Sequence, residues 1–131
     1  IKSLKQPVLG ICLGMQLMCK RSEEGDVECL NIFDVEVKKF VAQQQNEKIP
    51  HMGWNQIYAL KSGLFLSTTE NQFVYFVHSY YVPLCENTIA TVDYIYPFSA
   101  ALKKDNFYAT QFHPEKSGDV GEQILRNFID L

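Results

Sequence analysis

Apolar and polar positions along the chain change period several times, and each change marks an expected element. Residues 7–12 (Pro-Val-Leu-Gly-Ile-Cys) form a short unbroken apolar run, the pattern of a buried parallel strand. Residues 14–21 switch to helical spacing, with Met15, Leu17, Met18 and Cys19 available to a core, and Gly25 with Asp26 is expected to end that helix. Across residues 34–42, Val35, Val37 and Phe40 alternate with Glu36, Lys38 and Lys39, which predicts a strand with one wet face. A polar loop is expected at 43–48, and further strands at 54–60, 73–78, 89–94, 99–103 and 107–112. Val120, Ile124, Leu125 and Phe128 recur on one face of residues 118–131, predicting a closing helix that Ser117 or Asp119 would cap. A strand–turn–helix at the front, a helix at the back and β-hairpin material between them predict an α/β domain with a mixed sheet.

Composition narrows the function classes. At 131 residues, 47% hydrophobic and 21% charged, the chain is one ordinary globular domain's worth of polypeptide. A net charge of −3 leaves no basic field to hold nucleic acid or an anionic membrane. No apolar stretch approaches a membrane span, and no signal peptide is read. The four cysteines, Cys12, Cys19, Cys29 and Cys85, are irregularly spaced with no Cys-x-x-Cys pair. That speaks against a disulfide framework or a zinc site, and for a reducing cytoplasm. The first residues, Ile-Lys-Ser-Leu-Lys-Gln-Pro, read like the tail of a helix running into a strand, so the chain is expected to open inside a larger unit.

Two separated motifs carry candidate chemistry. Gly10-Ile-Cys12-Leu-Gly14 has the form Gly-x-nucleophile-x-Gly between a strand and a helix, the nucleophile-elbow pattern with sulfur in place of oxygen. In such a turn, side chains two residues either side of the nucleophile are expected to collide, which calls for glycine. The strain holds the sulfur out into a cleft. The following helix directs its amides at the sulfur, favouring thiolate, and the Leu13 amide is placed to donate to an oxyanion. The alternative is a buried structural cysteine, the commoner fate of a free thiol. In the second motif, Gln111-Phe-His113-Pro-Glu115, an imidazole at a strand end and a carboxylate two residues on can hydrogen-bond through one ring nitrogen. The other nitrogen is left for a thiol, which is the logic of a nucleophile–base–orienter triad. The alternative is a surface histidine with Glu115 capping the last helix. His51 and His78 have no ligand-like spacing, so no metal site is expected.

Taken together, these motifs give the chain a resemblance to the class I (triad) glutamine amidotransferases. Within them it resembles the subfamily of glutaminase subunits of imidazole glycerol phosphate synthase. The matching segments are Pro-Val-Leu-Gly-Ile-Cys-Leu-Gly-Met-Gln-Leu-Met (7–18), Pro-His-Met-Gly-Trp-Asn-Gln-Ile (50–57), Tyr-Phe-Val-His-Ser-Tyr-Tyr (75–81) and Tyr-Ala-Thr-Gln-Phe-His-Pro-Glu-Lys-Ser (108–117). The first and last recur loosely across the superfamily, while the middle two select the subfamily. The resemblance implies a flavodoxin-like three-layer α/β fold with a mixed sheet. It also implies a reaction that needs no cofactor, in which Cys12 attacks the side-chain amide of glutamine, His113 acts as base and acid, and Glu115 orients His113. Leu13, Gln16 and the Ser79–Tyr80 backbone match substrate-binding positions. Trp54, Tyr75 and Lys116 match positions facing the family's partner, a (β/α)8-barrel cyclase that forms a heterodimer and receives the ammonia. As residues alone, Trp54 and Tyr75 serve equally as core aromatics, Lys116 as a solvated lysine, and His51 and His78 as structural side chains.

A full subunit of this kind begins with further βα units carrying a glycine-rich loop that supplies the other half of the oxyanion hole. Residues 1–131 contain none of them. The expectation is therefore a C-terminal part of an amidotransferase domain, inactive alone, whose strand at 8–12 lacks a neighbour on one side. Competing readings are another triad amidotransferase, feeding anthranilate, GMP or pyridoxal phosphate synthesis, and a degenerate domain that only binds a partner.

Overall fold

The structure, a computed structural model, describes residues 1–68 and 70–131. Its centre is a six-stranded sheet built from β1 (Val8–Ile11), β5 (His51–Tyr58), β6 (Gln72–His78), β8 (Thr88–Tyr94), β9 (Tyr96–Lys104) and β10 (Phe107–Thr110). The strand order is β1-β10-β9-β8-β5-β6. β1 runs parallel to β10, and all other neighbours are antiparallel, so the sheet is mixed as the sequence predicts. β1 pairs with β10 alone and forms one edge. The apolar run at 7–12 thus forms its strand with a partner on one side only.

Alternation along the strands sends side chains into two cores. On β10, Tyr108 joins one cluster while Phe107 and Ala109 join the other. The first cluster takes in Ile124 of α2 (Gly118–Ile129), with Val120 and Phe128 packed against it and the Phe128 ring 6.2 Å from that of Tyr108. The second lies under α1 (Leu13–Leu17) and a small four-stranded sheet. That sheet has the order β3-β2-β4-β7, from β2 (Cys19–Ser22), β3 (Val27–Glu28), β4 (Phe33–Lys39) and β7 (Tyr80–Tyr81). The three layers are helix, mixed sheet and small sheet.

Several expected elements move. The helix expected at 14–21 stops at Leu17, and residues 19–22 become a strand. Tertiary contacts override the spacing: the carbonyls of Leu17, Met18, Cys19 and Lys20 accept the amides of Leu30, Ile32, Asn31 and Cys29 instead of helical partners. Gly25 and Asp26 accordingly sit in a 3-10 turn between β2 and β3 and do not end a helix. The strand expected at 54–60 begins earlier, at His51, and that expected at 107–112 ends at Thr110. Ser117 does stand at the N-cap position of α2, but its hydroxyl makes no capping bond. It donates to the His113 carbonyl (2.6 Å) and accepts the Tyr75 amide (2.9 Å).

Candidate active site

The elbow forms at the C-terminal ends of the parallel pair β1 and β10. The Cys12 amide continues the ladder, donating to the Thr110 carbonyl at 2.8 Å, and the chain then reverses into α1. The reversal places Cys12 at φ 53° and ψ −105°, a conformation costly for a residue with a Cβ. Gly10 is required by contact: a Cβ there would stand 2.9 Å from the backbone of Gly14 and 3.0 Å from the Met18 sulfur. Gly14 differs from the expectation, since a Cβ at that position meets nothing within 4 Å.

Around the sulfur, the structure gathers Cys12, Leu13, Gln16, Ser79 and Tyr80 into one cavity of about 200 Å³, which Glu24, Val77 and His78 also line. This is smaller than the roughly 300–1,000 Å³ of drug-sized sites and suits a ligand the size of an amino acid. The thiol lies 3.8 Å from the Val77 carbonyl and 3.7 Å from Nε2 of Gln111. Burial pushes the Cys12 thiol above its ordinary range, with Glu115 adding to the rise; the Leu13 amide, Gln111 and Lys116 pull it back. The thiolate expected from the elbow alone is therefore disfavoured, because desolvation outweighs the donors.

His113 follows β10 and enters a 3-10 turn, Pro114–Lys116. Its Nδ1 lies 2.8 Å from Oε2 of Glu115, the base–orienter contact expected from the motif. Among the described residues no hydrogen bond joins His113 to Cys12, whose polar neighbours are Val77 and Gln111. The thiol–imidazole hydrogen bond expected from the triad is not made here; such contacts are often long in the absence of substrate. The turn itself is firmly held. The His113 amide donates to the Tyr75 carbonyl (2.9 Å), and Ser117 clamps the His113 carbonyl.

His78 closes the other side of the cavity. Its Nδ1 is 2.7 Å from the Tyr80 carbonyl, and its Nε2 is 3.0 Å from Nδ1 of His51. The carbonyl can only accept, so His78 carries its proton on Nδ1 and His51 donates to His78. Nε2 of His51 then accepts from Asn55 at 3.3 Å. Burial drives His51 down to about 3 and His78 down to about 4, so both rings are neutral struts at pH 7. Their structural reading from the sequence fits this arrangement.

Trp54 and Tyr75 stand opposite each other on β5 and β6, with ring centroids 6.0 Å apart at 74°. Trp54 is 55% exposed, which excludes the core-aromatic alternative for it. Met52 and Phe73, also exposed, extend the same face. Lys116 is exposed at the end of the His113 turn. No group of three or more His, Cys, Asp or Glu side chains that could hold a metal occurs among the described residues. No helix among them is long and apolar enough to cross a membrane.

The whole of residues 1–131 matches the profile of the class-I glutamine amidotransferases. The chain belongs to this family. Imidazole glycerol phosphate synthase subunit HisH of Bacteroides thetaiotaomicron is 70% identical over 131 residues, covering 100% of this chain and 67% of its own length. The HisH subunit of Pectobacterium atrosepticum is 51% identical over 134 residues, again covering 100% and 67%. Among solved structures, a Thermoplasma acidophilum protein assigned as part of a GMP synthase shares the fold, with a TM-score of 0.66 and 23% identity over 98% of this chain and 58% of that one. A glutamine amidotransferase from Thermotoga maritima gives a TM-score of 0.61 at 19% identity, covering 95% and 47%. This amidotransferase chain thus spans about two thirds of the curated relatives it matches, and less of these structures.

Two residues of this amidotransferase site carry no signal in the sequence. Glu24 lines the cavity from the turn after β2, and its place in an acidic run (Glu23-Glu24-Gly25-Asp26) gives no sign of that. Gln111 is fully buried against the thiol, yet in the sequence it is an ordinary polar residue two positions before a more conspicuous histidine.

Proposed function

We propose that Cys12, His113 and Glu115 form the glutaminase triad of an imidazole glycerol phosphate synthase amidotransferase subunit, acting in histidine biosynthesis. The observation that carries the reading is the elbow sulfur opening into an amino-acid-sized cavity, while the turn that follows the paired strand β10 holds a Glu115-oriented imidazole. Cys12 transfers its proton to His113 and attacks Cδ of glutamine. The oxyanion forms beside the Leu13 amide. Collapse breaks the C–N bond as His113 protonates the leaving nitrogen, releasing ammonia and a Cys12 thioester. Water, deprotonated by His113, then attacks the thioester to give glutamate and the free thiol. In the cavity, Glu24 supplies a negative charge for the substrate's α-ammonium. Both hydrogens of the Gln16 amide are taken by Tyr80 and Gln111 (3.2 Å each), leaving its oxygen to accept from substrate.

The apolar β5–β6 face of Met52, Trp54, Tyr75 and Phe73 is the surface we assign to a partner, a (β/α)8-barrel cyclase held as a heterodimer, with Lys116 at its margin. Val77 both lines the cavity and pairs with Met52, so the face is continuous with the place where ammonia is released. We place the protein in the cytoplasm, in keeping with four free cysteines. The test uses the complete subunit with its cyclase. Glutamate release that is abolished by Cys12→Ala, together with rescue of a histidine auxotroph, supports the reading. Rescue of a different ammonia-requiring pathway in its place overturns it.

A further inference from the structure

The chain of amides behind the nucleophile has a direction imposed by chemistry. The Tyr80 carbonyl can only accept, so the Gln16 atom 3.2 Å from it is the donating Nε2. That same nitrogen lies 3.2 Å from the Gln111 amide, which must therefore turn its oxygen toward Gln16. Nε2 of Gln111 is then left to point at the Cys12 sulfur, 3.7 Å away. The anchor is rigid, because the Tyr80 carbonyl also accepts Nδ1 of His78 at 2.7 Å. Gln111 is fully buried, its own amide is fixed to the Ala100 carbonyl at 2.8 Å, and it has no freedom to rotate toward solvent. A neutral thiol is a poor acceptor for such a donor, whereas a thiolate is a strong one.

We propose that Gln111 is a positioning residue for the nucleophile: its amide, oriented by Gln16, aims the Cys12 sulfur and stabilises it as thiolate. The proposal rests on the reading of Cys12 as the reactive thiol. The Val77 carbonyl, 3.8 Å from the sulfur, accepts the hydrogen bond of the neutral thiol. Between them, the two contacts define where the sulfur stands before and after it gives up its proton.

The test is the rate of Cys12 alkylation by iodoacetamide as a function of pH, followed by peptide-resolved mass spectrometry on the complete subunit. Gln111→Met keeps the side-chain length and removes the donor. It is expected to raise the alkylation midpoint by about one pH unit, cutting the thiolate fraction at pH 7 about ten-fold. The remaining thiolate is about three-fold more nucleophilic, so the observed rate at pH 7 falls about three-fold. Should Gln111→Met fail to fold, Gln111→Asn withdraws the donor by one methylene and is expected to move the midpoint in the same direction. A purely packing role would lower the unfolding temperature and leave the midpoint in place. A folded variant whose pH profile superimposes on the parent's overturns the proposal. The alkylation assay contains no glutamine, so a failure of the glutaminase reading shows separately: the midpoint shifts as expected, yet the parent subunit releases no glutamate when glutamine is supplied.

Discussion

Gly121 offers the sharpest test of how the triad turn is held. It is the fourth residue of α2, where alanine would ordinarily be favoured over glycine by about 1 kcal/mol. The structure forbids that exchange. A Cβ at Gly121 would overlap the Pro114 carbonyl oxygen and stand 2.8 Å from both the Pro114 carbonyl carbon and Cβ of Ser117. The obstructing atoms are mainly backbone, so no side-chain rotation relieves them, and either α2 or the Pro114–Lys116 turn must shift. Overpacking of this kind costs about 1–3 kcal/mol, and a backbone obstacle puts the cost near the upper end. After the propensity gain, the net loss is about 1–2 kcal/mol, which for a subunit of this class lowers the melting temperature by about 2–8 °C. Pro114 sits between His113 and Glu115, so a shift of the turn by about 1 Å would also cost about 100-fold in turnover. Thermal unfolding and glutamate release, both on the complete subunit with Gly121→Ala, measure the two effects. A variant equal to the parent in both would refute the packing argument.

Glu115→Gln replaces the charged partner of the His113 imidazole at nearly constant shape. Turnover should fall by up to about 10⁴-fold, with KM for glutamine little changed, as read from steady-state kinetics. Ser117→Ala removes both the bond to the His113 carbonyl and the acceptor for the Tyr75 amide, and is expected to destabilise the subunit by about 1–3 kcal/mol in urea unfolding. For pH, burial holds His51 and His78 at about 3 and about 4, while the unfolded chain takes up protons near the ordinary histidine value of about 6.5. Between those limits the unfolded state binds more protons, so stability is complete above about pH 6.5 and falls as pH drops toward 4, by at most about 1.4 kcal/mol per pH unit per histidine. Urea midpoints at pH 7.5 and pH 5.5 check this. An unchanged midpoint would show that the buried pair accepts a proton without cost.

How much of the molecule is readable in its chain depends on how local each signal is. The elbow is legible because strand, nucleophile and helix start lie within a dozen residues, and Gly10 has the contact that such a turn demands. The His113–Glu115 pair is legible for the same reason. The helix expected at 14–21 fails at Leu17 because the 29–33 segment claims its carbonyls, a competition invisible to periodicity. The small sheet is lost with it: β3 and β7 have two residues each, too short to show any period. Gln111 and Gln16 meet across 95 residues of sequence, and no local pattern signals that an amide there is turned toward a thiol. Ser117 reads as a helix cap, since serine before a helix usually is one, whereas here it is committed to His113 and Tyr75. Only exposure takes Trp54 out of the core, because an aromatic on a strand serves a core and a surface with the same spelling.

The central claim is that the Cys12 sulfur becomes acylated by glutamine. Rapid acid quench of the complete subunit with its cyclase, turning over isotopically labelled glutamine, followed by peptide mass spectrometry, addresses it directly. The account predicts a labelled glutamyl group on the peptide containing Cys12, formed before glutamate appears and absent in Cys12→Ala. Glutamine consumed with no label on that peptide, or glutamate production surviving Cys12→Ala, would contradict it.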